Sequence, residues 1–140
     1  MDIYTERMLI YKKKKEMEVI DLTEIADRFI RGKGLREGNL TIFVPGSTGA
    51  VSTIEYDPNL IHDFEKALER LAPSNIEYEH HKTWGDYNGK SHIRATVIGP
   101  SLTVPFYESR LIIGRWQSIV LIDLDVPERS REIILQAIGI

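Results

Sequence analysis

The sequence contains no cysteine. Disulfides, thiolate metal centres and cysteine nucleophiles are therefore excluded, and any metal has to be held by His, Asp or Glu. No stretch approaches the roughly 18 consecutive apolar residues that a membrane helix needs, and no apolar signal run follows the lysines at 12–15. These absences lead to the expectation of a soluble, cytoplasmic protein with no membrane partner. An excess of basic charge is missing too: 18 Lys and Arg stand against 21 Asp and Glu, a formal net charge of -3. That balance offers no pull toward nucleic acid, and no nucleic-acid partner is expected. Repeats and low-complexity segments are also absent. What is present is a chain of 140 residues, the length of one ordinary domain, read here as 1–140.

The opening run over 3–15 mixes apolar and polar residues and ends in Lys12, Lys13, Lys14 and Lys15. It predicts a strand leading into a solvated hairpin tip, because no aromatic residue is interleaved with the lysines and Glu16 and Glu18 follow. Asp21, Leu22, Thr23 and Glu24 resemble a capping box with Asp21 as N-cap, and Leu22, Ile25, Ala26, Phe29 and Ile30 continue at helical spacing until Gly32 and Gly34. Residues 40–44 and 51–55 predict two strands meeting at the Gly-rich connection 45–49. A second helix is predicted from Asp57 as cap, Pro58 in the first turn and Leu60, Ile61, Phe64, Leu68 and Leu71 on one face, with Pro73 stopping it and His62 on the surface.

Residues 93–98 alternate, with Ile93, Ala95 and Val97 on one side and His92, Arg94 and Thr96 on the other, and predict a half-buried strand. Residues 102–106 and 111–113 bracket a turn, with Pro105 pointing to an edge or bulge. The runs 118–124 and 133–138 predict central strands covered on both sides. Strands outnumber helices and cluster after residue 91, so the expected class is α+β with two main helices and a mostly antiparallel or mixed sheet.

Candidate chemistry gathers between Glu79 and His92. These fourteen residues hold only Trp84 and Tyr87 as large apolar groups, and structureless loops of about 12–15 residues are usually functional or disordered. With Tyr78 just before it, the segment carries His80, His81, Trp84, Asp86, Tyr87, Asn88 and His92, which suit ligand contact better than a disordered linker. His80, His92 and Asp86 are the candidate catalytic residues and candidate metal ligands: two imidazoles and a carboxylate make an open N/N/O metal site or an acid/base pair near neutral pH. For any single histidine a surface or structural role stands beside the functional one. Ser47 and Thr48, in the turn Pro45-Gly46-Ser47-Thr48-Gly49-Ala50, offer a nest for phosphate or carboxylate, or simply a turn. Arg94, and Arg115 beside Trp116 and Gln117, are candidate partners for such an anion.

The ordered set Glu55 with Asp57-Pro58, Tyr78-Glu79-His80, Gly85-Asp86, Ser91-His92, Gly99-Pro100-Ser101, Val104-Pro105, Gly114 with Trp116-Gln117, and Arg129-Ser130-Arg131 resembles the YjbQ-like family over nearly the whole chain, least before residue 38. Members carry the label secondary thiamine-phosphate synthase. The resemblance implies a YjbQ-like sandwich that assembles as a homotrimer, with inter-subunit clefts lined by the polar loop, and a phosphorylated small molecule as partner. The implied reaction joins a hydroxymethylpyrimidine diphosphate to a thiazole phosphate and releases diphosphate. A divalent metal is implied as a possible cofactor: Mg²⁺ would favour Asp86, and Zn²⁺ or Mn²⁺ would favour His80 and His92. The ligand-binding set is Ser47, Thr48, Asn88, Arg94, Arg115, Trp116 and Gln117. A non-catalytic trimeric module that binds an anionic metabolite or a metal is the alternative. Two positions depart from the family pattern: many relatives have His-Thr-Thr or His-Thr-Ser where this chain reads Gly46-Ser47-Thr48, and Arg115 replaces a common Thr.

Overall fold

Burial with a period of two runs through the longest strands of the computed structural model, which describes residues 1–13 and 16–140. In β1 (Asp2–Lys12) Tyr4, Met8 and Ile10 are half-buried while Ile3, Leu9 and Tyr11 face outward. β2 (Glu18–Asp21), α1 (Thr23–Gly32), β3 (Glu37–Phe43) and β4 (Gly49–Ile54) follow. Then come α2 (Pro58–Leu71), the single turn α3 (His81–Trp84) and α4 (Gly89–Ile98). The chain closes with β5 (Ser101–Tyr107), β6 (Arg110–Leu111), β7 (Ser118–Asp123) and β8 (Arg129–Gly139). Two sheets result, ordered β1-β8-β3-β5-β6 and β2-β7-β4, with every neighbouring pair antiparallel. The α+β class is thus the one the chain adopts.

The sheets stack face to face, and β7 is covered on both sides. Its Ile119 and Leu121 join Leu40, Ile42, Ile133 and Leu135 of the larger sheet, with α1 contributing Leu22, Ala26, Phe29 and Ile30 to the same core. Its Val120 and Ile122 point the other way, toward Leu68 of α2 and Ala95 of α4. Fully burying an aliphatic side chain of this kind contributes about 1.5–3 kcal/mol, so the middle layer holds the other two together.

Several sequence expectations change. The run 93–98 is helical, the C-terminal part of α4, so there are three helices of at least ten residues among the described residues rather than two. Six alternating residues fit either period, and packing of Ala95 against the smaller sheet decides for the helix. As a consequence the polar segment 79–92 is not one loop: it contains α3 and the first turn of α4. The N-cap of α1 is Leu22, while Asp21 accepts hydrogen bonds from the N–H (2.9 Å) and hydroxyl (2.6 Å) of Thr23. Leu60 and Leu71 of α2 are exposed, though Asp57 caps that helix as expected by accepting from the Leu60 N–H at 2.9 Å.

The strands joined by 44–48 lie in different sheets, so this connection crosses the sandwich instead of closing a hairpin. In β8 only one face is fully buried, and the other is half-covered or open, with Ile138 exposed. Lys12 is fully buried instead of solvated. The lysines at 14 and 15 lie outside the described residues.

Candidate functional site

Strand register dictates the floor of the site. Inward positions on β1 (Met8, Ile10, Lys12), β8 (Leu135, Ile133, Arg131) and β7 (Ile119, Leu121, Asp123) continue one apolar layer until it ends in three charged side chains. Lys12 and Asp123 have no exposed surface and Arg131 is 3% exposed. Burying charge is costly unless it is paired and hydrogen-bonded, and these are both. Asp123 accepts from Arg131 through Nε to Oδ2 at 3.0 Å and Nη2 to Oδ1 at 2.9 Å. The Lys12 ammonium stands 3.5 Å from Asp123 Oδ1 and donates to the Asp125 carbonyl. Burial pulls the Lys12 pKa below its ordinary value against the opposing pull of Asp123.

Above this floor, Gly46, Ser47 and Thr48 from the crossing connection, His80, Trp84, Asp86, Asn88 and His92 from the helical segment, and Asp125, Arg129 and Arg131 line a recess of about 520 Å³. Its size lies within the ordinary range of small-molecule sites, roughly 300–1,000 Å³. The helical wall is shaped by two left-handed residues, Gly85 (φ 69°) after α3 and Tyr87 (φ 57°), which reverse the chain between Asp86 and α4. Such a φ is uncommon for a bulky residue and marks a constrained turn. The Tyr87 ring lies 4.4 Å from that of His81. Gly89 admits the neighbouring wall: a Cβ there would stand 2.9 Å from Tyr78 Cβ.

His80 and His92 have ring centroids 4.6 Å apart, tilted by 47°. Nδ1 of His80 is buried and makes no hydrogen bond, with Asp86 Oδ1 3.5 Å away, a contact that becomes an ion pair when the ring is protonated. Asn88 Oδ1 is likewise buried without a partner. Unsatisfied buried polar atoms are costly, so their clustering in one recess favours a bound polar group. Burial raises the Asp125 carboxyl, but hydrogen bonds from the Val126 N–H, Arg129 and Asn88 together with the charge of Arg129 outweigh it and hold the group below its ordinary pKa. Arg129 Nη1 donates to Asp125 Oδ2 at 2.9 Å.

Of the candidate residues, Ser47, Thr48, His80, Asp86, Asn88 and His92 are thus brought to one place. Arg94 is not: it is buried in α4 and donates to the Ala72 carbonyl (2.7 Å) and Glu69 (2.9 Å), fastening α4 to the end of α2. Arg115, Trp116 and Gln117 are also elsewhere, on the exposed connection between β6 and β7. There Arg115 lies over the Trp116 ring at 4.9 Å, and Gln117 accepts from the Gly114 N–H at 2.7 Å and donates to Thr53 at 3.3 Å. Sequence reasoning missed Lys12, Asp123, Asp125, Arg129 and Arg131 as site residues. Charges recurring at period two at the ends of apolar runs were the available signal.

Among the described residues no three His, Asp or Glu side chains stand close enough together to hold one ion by themselves. Within the recess Asp86 and His80 stand as a pair, 3.5 Å apart, and a metal there would need further oxygens from substrate or water. No helix among the described residues is long and apolar enough to cross a membrane.

The sequence model described as UPF0047 protein YjbQ-like matches residues 7–140. The chain belongs to this family. A UPF0047 protein from Methanothermobacter thermautotrophicus is 34% identical over 99% of this chain and 94% of its own length. One from Archaeoglobus fulgidus is 32% identical over 93% of this chain and 98% of its own. Among solved structures, a YbjQ-like protein of unknown function from Sulfolobus solfataricus superimposes with a TM-score of 0.92 at 26% identity, covering 99% of both chains. A protein from Aeropyrum pernix gives 0.90 at 28% identity, covering 98% of this chain and 99% of that one. The YjbQ-like sandwich expected from the sequence is therefore the fold of this chain, and the recess belongs to a UPF0047 domain.

Proposed function

We infer that the recess is a transferase site for a phosphorylated heterocycle, acting as a thiamine-phosphate synthase. The observation that supports this most is the meeting of His80, Asp86, Asn88 and His92 with Ser47 and Thr48 around one small-molecule-sized space. In the reaction, the C–O bond between the pyrimidine methylene and diphosphate breaks, diphosphate leaves with the electron pair, and the thiazole nitrogen forms the new C–N bond. Catalysis requires neutralising the leaving diphosphate while positive charge develops on the methylene. Ser47 and Thr48 cradle phosphate oxygens, and the Asp86 carboxylate faces the developing cation. His80 and His92 hold or release a proton at their ring nitrogens. A divalent cation (Mg²⁺, Mn²⁺ or Zn²⁺) would be held by Asp86 and His80 together with oxygens of substrate or water, and would supply charge neutralisation for diphosphate.

The proposed assembly is a homotrimer. Support comes from the open face of the larger sheet, where Ile3, Leu9, Tyr11, Phe43 and Ile138 are exposed.

The test is to supply purified protein with each metal in turn and both thiamine precursors. Thiamine phosphate is expected, falling to background in Asp86→Ala; no product above that control overturns the synthase reading. A second reading, a non-catalytic trimeric module binding an anionic metabolite or metal, is favoured by Gly46. Here the imidazole that many relatives carry is absent, and Arg131 Nη1 would stand 2.7 Å from a Cβ at that position. Calorimetry with thiamine phosphate and with each metal separates the two: saturable binding without turnover supports the module, and silence toward all of them removes it.

A further inference from the structure

In the sequence Lys12 reads as part of a solvated turn, and Arg131 stands out only as part of the Arg129-Ser130-Arg131 motif. Yet both are buried under the recess on either side of Asp123. Two cations share one carboxylate, so the buried group carries one net positive charge. The adjoining pair, Asp125 with Arg129, is balanced and leaves that excess in place.

The guanidinium is also directional. Its Nε and Nη2 are engaged by Asp123, and Nη2 also donates to Thr48 Oγ1 at 3.0 Å. Nη1 makes no hydrogen bond among the described residues. It lies against the backbone of the crossing connection, 2.7 Å from the point a Cβ on Gly46 would occupy and 3.0 Å from that point on Gly49. Glycine at both positions lets a buried cation reach the wall of the recess, and any side chain at 46 would displace it. A guanidinium fixed by a carboxylate and a hydroxyl, with one nitrogen left over, is preorganised for oxygen anions.

We propose that Arg131 Nη1 and the 46–48 turn form a subsite for a phosphate or diphosphate group, and that Lys12 biases this subsite electrostatically without touching the ligand. Lys12 offsets Asp123, so that the charge of Arg131 remains available to the anion. The proposal rests on the small-molecule reading of the recess but not on its chemistry. It names Arg131 as the binding cation in place of Arg94 and Arg115, and Lys12 as a positioning residue.

The experiment is calorimetric titration of the full chain with inorganic diphosphate, repeated with inorganic phosphate. Saturable binding is expected, with Arg131→Gln weakening it at least about tenfold and Arg115→Gln leaving it unchanged. Lys12→Met is expected to weaken it about fivefold, the order for loss of one charge beneath a half-buried site. Adding Asp123→Asn to Lys12→Met restores the net charge and is expected to recover most of the affinity, which a purely structural role for Lys12 would not produce. If Lys12→Met does not fold, Gly46→Ala carries the test, because it pushes Nη1 aside without changing charge and is expected to weaken binding. No saturable binding by folded wild type, a double variant as weak as Lys12→Met, or unchanged affinity in Gly46→Ala each overturns the proposal. The two ideas fail separately: binding with this pattern but no thiamine phosphate sinks the synthase reading alone, and turnover without the pattern sinks the subsite alone.

Discussion

Arg131 and Asp123 meet from different sheets: the guanidinium on β8 donates to both carboxylate oxygens on β7, at 3.0 and 2.9 Å, at the charged end of an apolar layer. The pair therefore ties the sandwich together at the end where the recess opens.

Removing the carboxylate leaves two buried cations facing each other. Asp123→Ala is expected to lose about 3–5 kcal/mol of stability, since breaking a buried ion pair costs far more than the pair contributes. Urea denaturation followed by circular dichroism measures it, and a loss below about 1 kcal/mol would show that the cluster is solvated.

Acid should act at the junction of α2 and α4. The Ser74 N–H and hydroxyl, with Arg94, stabilise the Glu69 carboxylate and lower its pKa from 4.5 to about 2. A depressed carboxyl pKa contributes stability that is fully present above the ordinary value and is lost as pH falls from about 4.5 through about 2. The Glu69 side chain is about half exposed, 49%, so solvent screening keeps the effect small. Wild type and Glu69→Gln should differ in melting temperature at neutral pH and converge near pH 2; a gap independent of pH would refute the assignment.

Gly89→Ala places a methyl 2.9 Å from Tyr78 Cβ, closer than real Cβ atoms come, and 3.0 Å from its Cγ, which is also tight. Overpacking of this kind costs about 1–3 kcal/mol. The Tyr78 hydroxyl donates to the Pro73 carbonyl at 2.6 Å, so the ring is not free to swing away. Thermal denaturation should show the loss, and a variant as stable as wild type would mean that α4 shifts freely.

The proposed trimer predicts a light-scattering mass three times the 16.1 kDa of the chain. A charged residue in place of Leu9, which is 74% exposed on the open sheet face, should lower that mass without unfolding the subunit. A monomer mass for wild type would refute the assembly.

The helix at 58–71 was legible because its signals are local: Asp57 caps it, Pro58 fits its first turn and the apolar spacing is helical. The alternation over 93–98 was equally local and misled, because both periods fit six residues and only contact with the smaller sheet separates them. Arg94 illustrates the consequence. Placed on a strand it shared a polar face with His92 and was a candidate partner for an anion, whereas on the helix it turns inward to α2.

By itself the sequence determined the class of fold and the segment in which His80, Asp86, Asn88 and His92 lie, because composition, capping and spacing act within a few residues of each other, while the family was legible through the resemblance of its ordered motifs. Only the tertiary structure decided that Lys12, Asp123 and Arg131 converge. Their positions are 111 and 8 residues apart (12 to 123, 123 to 131), and no local rule connects them. Antiparallel register brings three strand ends to one point between the sheets, where exclusion of water forces the charges to pair.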